Sequence, residues 1–150
     1  MGNKLLLAVD QFEQGQAAVD FTIGLAARSR SDVQVLHVRE LSASLRVPPL
    51  ESVAEARVLV EETVRRLNTA GIPAEGEVVS DREDHVAQSI VEGASRGECD
   101  AIVLGSLRLR GLRSIGGHGI RERVLKMSPL PVIVTPTPGF SAFTIMPPPM

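Results

Sequence analysis

The densest concentration of residues able to do chemistry lies between Ser106 and Arg123. There Gly116, Gly117 and Gly119 are interleaved with Arg108, Arg110, Arg113, Arg121, Arg123 and His118. Glycine lets backbone N–H groups approach an anion closely, and arginine presents planar, charge-assisted forks to phosphate or carboxylate. The stretch therefore reads as a place for a small anionic ligand. The same residues equally read as arginines solvated or paired with acids such as Glu122, with glycines that only permit positive φ in a connection. A second candidate is Asp10, an acid that closes an apolar run. An acid there can face a ligand, cap the next helix or pair with an arginine.

Other reactive side chains offer less. His37, His85 and His118 are not spaced as metal ligands. His37 stands inside an apolar run, as a satisfied structural histidine does. His118 follows Ser106 in the same loop, yet nothing matches a nucleophile elbow or a base with its orienting partner. Cys99 sits in Gly97-Glu-Cys-Asp100, where flanking acids disfavour a thiolate, and reads as a structural thiol. One cysteine excludes an internal disulfide and leaves no structural zinc set, which predicts a reducing cytoplasmic setting.

The elements that must position these residues follow from hydrophobic period. Short continuous apolar runs alternate with helical stripes, the signature of β-α-β units around a mostly parallel sheet. Five strands and four helices are predicted. Lys4 to Val9 is apolar enough for a strand buried on both faces, and it ends at Asp10. From Phe12 to about Arg30, inward positions Ala18, Phe21, Leu25 and Ala26 recur at helical spacing. Asp32 to Val38 is the second strand, and Arg39 to Pro49 a loop. Val53, Ala56, Val60, Val64 and Leu67 form the second helical stripe, stopped by Gly71 and Pro73. Ala74 to Val79 is a weaker strand, and Ser80-Asp-Arg-Glu83 fits a capping box opening a helix with Val86, Ile90 and Ala94 inward. Asp100 to Gly105 is the fourth strand. The Gly/Arg loop then leads into a helix with Ile120, Val124 and Met127 inward, and Pro131 to Thr135 is the last strand.

These elements make residues 1–135 one domain, and the proline-bearing segment Pro136 to Met150 an extended tail. The tail's Phe140, Phe143, Ile145 and Met146 are apolar anchors able to dock on a surface, or it is simply disordered. A 150-residue chain with 43% hydrophobic and 23% charged residues has the balance of a soluble, packed protein. Its net charge of −2 and 3% aromatic content give no attraction to nucleic acid or anionic membrane and no base-stacking platform. No apolar run approaches the roughly 18 residues of a membrane span.

Two stretches then carry a resemblance. Leu-Leu-Ala-Val-Asp10, and Asp100-Ala-Ile-Val-Leu-Gly-Ser106 through Arg121-Glu-Arg-Val124 to Pro131-Val-Ile-Val134, look like the universal stress protein family. Leu36-His-Val38 matches the family's Leu-His-Val, and the order of elements is the family's order. The resemblance implies an open five-stranded parallel sheet with helices on both faces, Rossmann-like and similar to the adenine nucleotide alpha hydrolase fold.

In ATP-binding members the first strand's terminal Asp contacts adenine, the Val of Leu-His-Val lines the base pocket, and Gly-x2-Gly-x9-Gly-Ser/Thr holds ribose and phosphates. Laid on this chain without gaps, that motif keeps Gly105 but meets Arg108, His118 and Gly119 at its other positions. The resemblance thus implies a site drawn from Ala8, Val9, Asp10, Val38, Gly105, Arg108, Gly117, His118, Gly119 and Ile120. With three of four motif positions changed, the expected function is a cytoplasmic stress-response regulator without catalysis, binding ATP weakly or not at all. The resemblance also implies a homodimer through Pro131 to Val134, an apolar strand that would otherwise leave an exposed edge. The alternatives are an ATP-binding member, with Mg accompanying the nucleotide, and a protein that takes another small anion on its arginine-rich loop.

Overall fold

A computed structural model describes residues 3–10, 14–42, 44, 46, 48–49, 51–105 and 119–135. In chain order the elements are β1 (Asn3–Ala8), α1 (Gln14–Ser29), β2 (Ser31–Leu41), α2 (Val53–Thr69) and β3 (Ala74–Arg82). A short 3-10 turn (Glu83–His85), α3 (Val86–Arg96), β4 (Ala101–Leu104), α4 (Ile120–Met127) and β5 (Val132–Val134) follow. The five strands form one sheet in the order β3-β2-β1-β4-β5, with every pair parallel. The α/β expectation is met.

The sheet separates two cores. Alternation along β1 sends Leu5 and Leu7 to one face, where α1 supplies Ala18, Val19 and Ala26 and α2 supplies Val60 and Leu67. Leu6 goes to the other face, against Val86, Ala87, Ile90 and Ala94 of α3 and Val124 of α4. This two-sided burial is why β1 reads as an unbroken apolar run. Leu6 and Leu7 are fully buried, and truncating either side chain to alanine carries the usual cost of about 2–5 kcal/mol.

Local signals account for several boundaries. Ser52 caps α2 by accepting from the Glu55 N–H at 3.0 Å, while the Ser52 N–H donates to Glu55 Oε1 at 2.7 Å, a reciprocal box. At the other end of α2, Gly71 takes φ +87°, the left-handed conformation that lets the chain leave the helix. On β3, Gly76 lies so close under α2 that a Cβ there would run into Val60 Cγ1.

Elsewhere tertiary structure overrides the local pattern. Ser80-Asp-Arg-Glu83 does not cap a helix: β3 continues through Arg82, because β2 is longer than expected and pairs with it as far as Leu41↔Arg82. The first three residues of the expected Arg39–Pro49 loop are therefore strand. α3 begins after the 3-10 turn with no side-chain cap. Phe21, expected inward, is 40% exposed, as are Val53 (48%) at the first position of α2 and Met127 (46%) at the end of α4. Val53 and Met127 stand at helix ends, whereas Phe21 is in the middle of α1 on a face that neither core cluster covers. No helix among the described residues is long and apolar enough to cross a membrane.

Candidate functional site

The chain winds from β1 outward through β2 and β3, then crosses to β4 and β5 on β1's other side. Strand order therefore reverses between β1 and β4, and in open parallel sheets ligands lie in the crevice at the carboxyl ends flanking such a reversal. The last register pair there is Ala8↔Leu104. Val9–Asp10 and Gly105 thus leave the sheet side by side.

Each wall has a local origin. Ala8, Val38 and Ile120 belong to, or pack against, the single core cluster on the α3/α4 face. Val9 does not join them: its side chain sits in the opposite cluster, and only its backbone faces the crevice side. That backbone is engaged, since the Val9 N–H donates to the Leu36 carbonyl at 2.9 Å and His37 Nδ1 lies 2.7 Å from the Val9 carbonyl. Asp10 is half-buried and Gly105 buried. Beyond β4, the Thr135 N–H donates to the Leu104 carbonyl at 2.9 Å, closing the β5 end of the sheet. Arg108, Gly117 and His118, with Ser106, Arg110 and Arg113, lie outside the described residues.

At the start of α4 the Gly119 N–H donates to Glu122 Oε1 at 2.9 Å. Arg121 stands 3.7 Å from the other Glu122 carboxylate oxygen. Arg123 donates to the Asp84 carbonyl at 3.2 Å, tying α4 to the turn before α3. Arg121 thus follows the paired alternative, whereas Arg123 is held by a backbone carbonyl rather than an acid.

His37 is the satisfied histidine its surroundings suggested. Its Nδ1 must carry the proton, because a carbonyl only accepts, and its Nε2 meets the Glu51 carboxylate. Glu51 escaped the sequence reading, since an acid in a proline-bearing loop has no periodicity to connect it with a strand residue 14 positions earlier.

The remaining titratable groups serve structure. Burial raises the Cys99 thiol above its ordinary pKa, with Asp100 adding to the rise and Lys4 opposing it, so the residue stays a protonated core side chain. Asp81 accepts from Ser89 Oγ at 2.7 Å and lies 3.5 Å from His85 Nδ1. The Ser89 hydroxyl therefore donates to the acid rather than to the imidazole, which is not the serine–histidine–acid order of a nucleophilic triad. The Ser89 bond, then the Arg82 N–H, hold the Asp81 carboxyl below its ordinary value against a small opposing effect of burial. Among the described residues no cluster of His, Cys, Asp and Glu is arranged to hold a metal.

Residues 1–136 match the profile of the universal stress protein family. The chain belongs to that family. No curated protein is a significant sequence match. The fold recurs in a universal stress protein family member from Burkholderia pseudomallei, 22% identical, covering 90% of this chain and 96% of that one at TM-score 0.72. It recurs in the Archaeoglobus fulgidus universal stress protein in complex with dAMP, 21% identical over 89% of this chain and 98% of that one, TM-score 0.66. An Arabidopsis thaliana family protein with AMP bound is 19% identical, covering 92% of this chain and 94% of that one at TM-score 0.63. This universal stress protein therefore shares the family's five-stranded parallel frame.

Proposed function

We propose that this universal stress protein is a regulatory, non-catalytic homodimer whose crevice at the β1 and β4 ends holds ATP weakly or not at all. The observation that carries the reading is the bond from the Gly119 N–H to Glu122 Oε1 at 2.9 Å. The first amides of a helix are where an incoming phosphate finds donors and the positive end of the helix dipole. Here one of those donors is already used, by a group of the same charge as phosphate. Around it, Ala8, Asp10, Val38, Gly105 and Ile120 form the crevice wall, to which Val9 contributes backbone only; the family motif assigns Arg108, Gly117 and His118 to the same ligand. Residues 1–135 act as one domain and 136–150 as its tail. The dimer forms along β5, whose Val132, Ile133 and Val134 are half-buried at the sheet edge, beside the exposed Leu125 and Met127 of α4.

Calorimetric titration with Mg-ATP tests the nucleotide part. The expected result is no saturation below roughly millimolar ligand, and micromolar binding would overturn it. Sedimentation tests the dimer, and a monomer at all concentrations removes that part.

A second reading, adenine-nucleotide binding, is favoured by relatives described in complex with cAMP, dAMP and AMP. Two of these ligands are plain monophosphates, so AMP belongs beside ATP in the titration.

A further inference from the structure

Apart from the Cys99 thiol, His37 and Glu51 are the two titratable side chains buried among the described residues, 4% and 7% exposed. They face one another through His37 Nε2 and Glu51 Oε1. The pair joins three segments. Through Nδ1 the imidazole holds the Val9 carbonyl at 2.7 Å, where the chain turns off β1 toward Asp10. Through Nε2 it holds Glu51, whose own carbonyl accepts from Arg39 Nε at 3.0 Å. Glu51 directly precedes Ser52, the residue that caps α2.

Burying an acid with a base seldom adds net stability, because desolvation consumes most of the attraction, and well-packed apolar replacements are often as stable. What such a pair does supply is direction, since each hydrogen bond dictates where its partner's backbone lies. We propose that His37 and Glu51 are positioning residues for the crevice. The imidazole holds the end of β1 at Val9–Asp10, and Glu51, sharing one proton with Nε2, keeps the ring in the orientation that presents Nδ1–H to Val9. The same bond brings the β2–α2 connection up against that strand end. Ligand affinity in the crevice depends on the pair in the same degree as the crevice holds adenine nucleotide, so this part rests on the reading above.

The full chain is compared with Glu51→Gln, which retains a hydrogen-bonding group facing Nε2, and with the double variant His37→Leu/Glu51→Met, which replaces the pair by apolar groups. Amide hydrogen exchange at Val9 and Asp10, the melting temperature and AMP affinity are measured. The double variant is expected to melt within about 5 °C of the parent, yet to exchange the Asp10 amide about tenfold faster. Glu51→Gln restores most of the protection. Unchanged exchange in the double variant overturns the proposal by reducing the pair to packing.

Nitrogen-15 spectra of the parent's imidazoles give a reading even where a variant fails to fold. A His37 ring protonated at Nδ1 and held in one orientation supports the proposal, and a ring that interconverts tautomers freely overturns it. Absence of AMP binding by the parent would remove the nucleotide reading alone, because exchange and the imidazole spectrum judge the pair without any ligand.

Discussion

The backbone N–H of Gly119 donates to the carboxylate of Glu122 at 2.9 Å, so the opening turn of α4 carries its own anion. An intramolecular carboxylate at a helix N-terminus stabilises that helix and competes with any external anion for the same donors.

Glu122→Gln keeps the reach of the side chain and removes its charge. Anion affinity at this helix end should rise about fivefold, the equivalent of about 1 kcal/mol. Titration of parent and variant with Mg-ATP checks this. Equal affinities would mean that Glu122 does not compete.

Asp81 contributes to stability with a definite sign. Its carboxyl is held below the ordinary value in the fold, chiefly by Ser89. The contribution is therefore complete above the unfolded value near pH 4, and disappears as pH falls through the lower folded value. Ser89→Ala should move the Asp81 titration upward in carboxyl NMR. Its destabilisation relative to the parent, measured by melting, should be larger at neutral pH than at about pH 3. A difference that grows on acidification would contradict the assignment.

Glu98 sits at φ 54°, just past the end of α3, in the left-handed region where a Cβ is unfavourable. Glu98→Gly should stabilise the protein by up to about 1 kcal/mol, offset in part by the added freedom of the unfolded chain. Urea denaturation reads the difference as a shift in midpoint at constant slope.

Gly76 of β3 is a close-approach position, where a new Cβ would meet Val60 Cγ1 and, at 3.0 Å, Val64 Cγ2. Both neighbours belong to α2, packed against the sheet, and Gly76→Ala should cost about 1–3 kcal/mol. Gly24 has nothing within 4 Å of such a Cβ, so Gly24→Ala in the middle of α1 should instead be neutral or stabilising. Parallel urea titrations of the two variants separate crowding from intrinsic propensity.

Much of the frame was legible because burial has a period. Lys4 to Val9 reads as a two-faced strand since its alternate residues serve two separate cores. Ala56, Val60 and Leu67 read as one helix face because they lie against one sheet. Of the candidate site, the strand ends at Asp10 and Gly105 were legible in the same way, since each closes an apolar run.

What periodicity cannot report is which distant segment lies alongside. Ser80-Asp-Arg-Glu83 has the composition of a helix cap, but the available partner was the extended end of β2, and the ladder to Leu41↔Arg82 won. The sequence by itself determined the number and order of strands and helices and the family, because these follow from local burial and short motifs. Only tertiary structure decided that His37 meets Glu51 and the Val9 carbonyl, and that Arg123 reaches the Asp84 carbonyl. Those partners are 14 to 39 residues apart, and strand register and helix packing, rather than neighbouring residues, set which polar atoms meet.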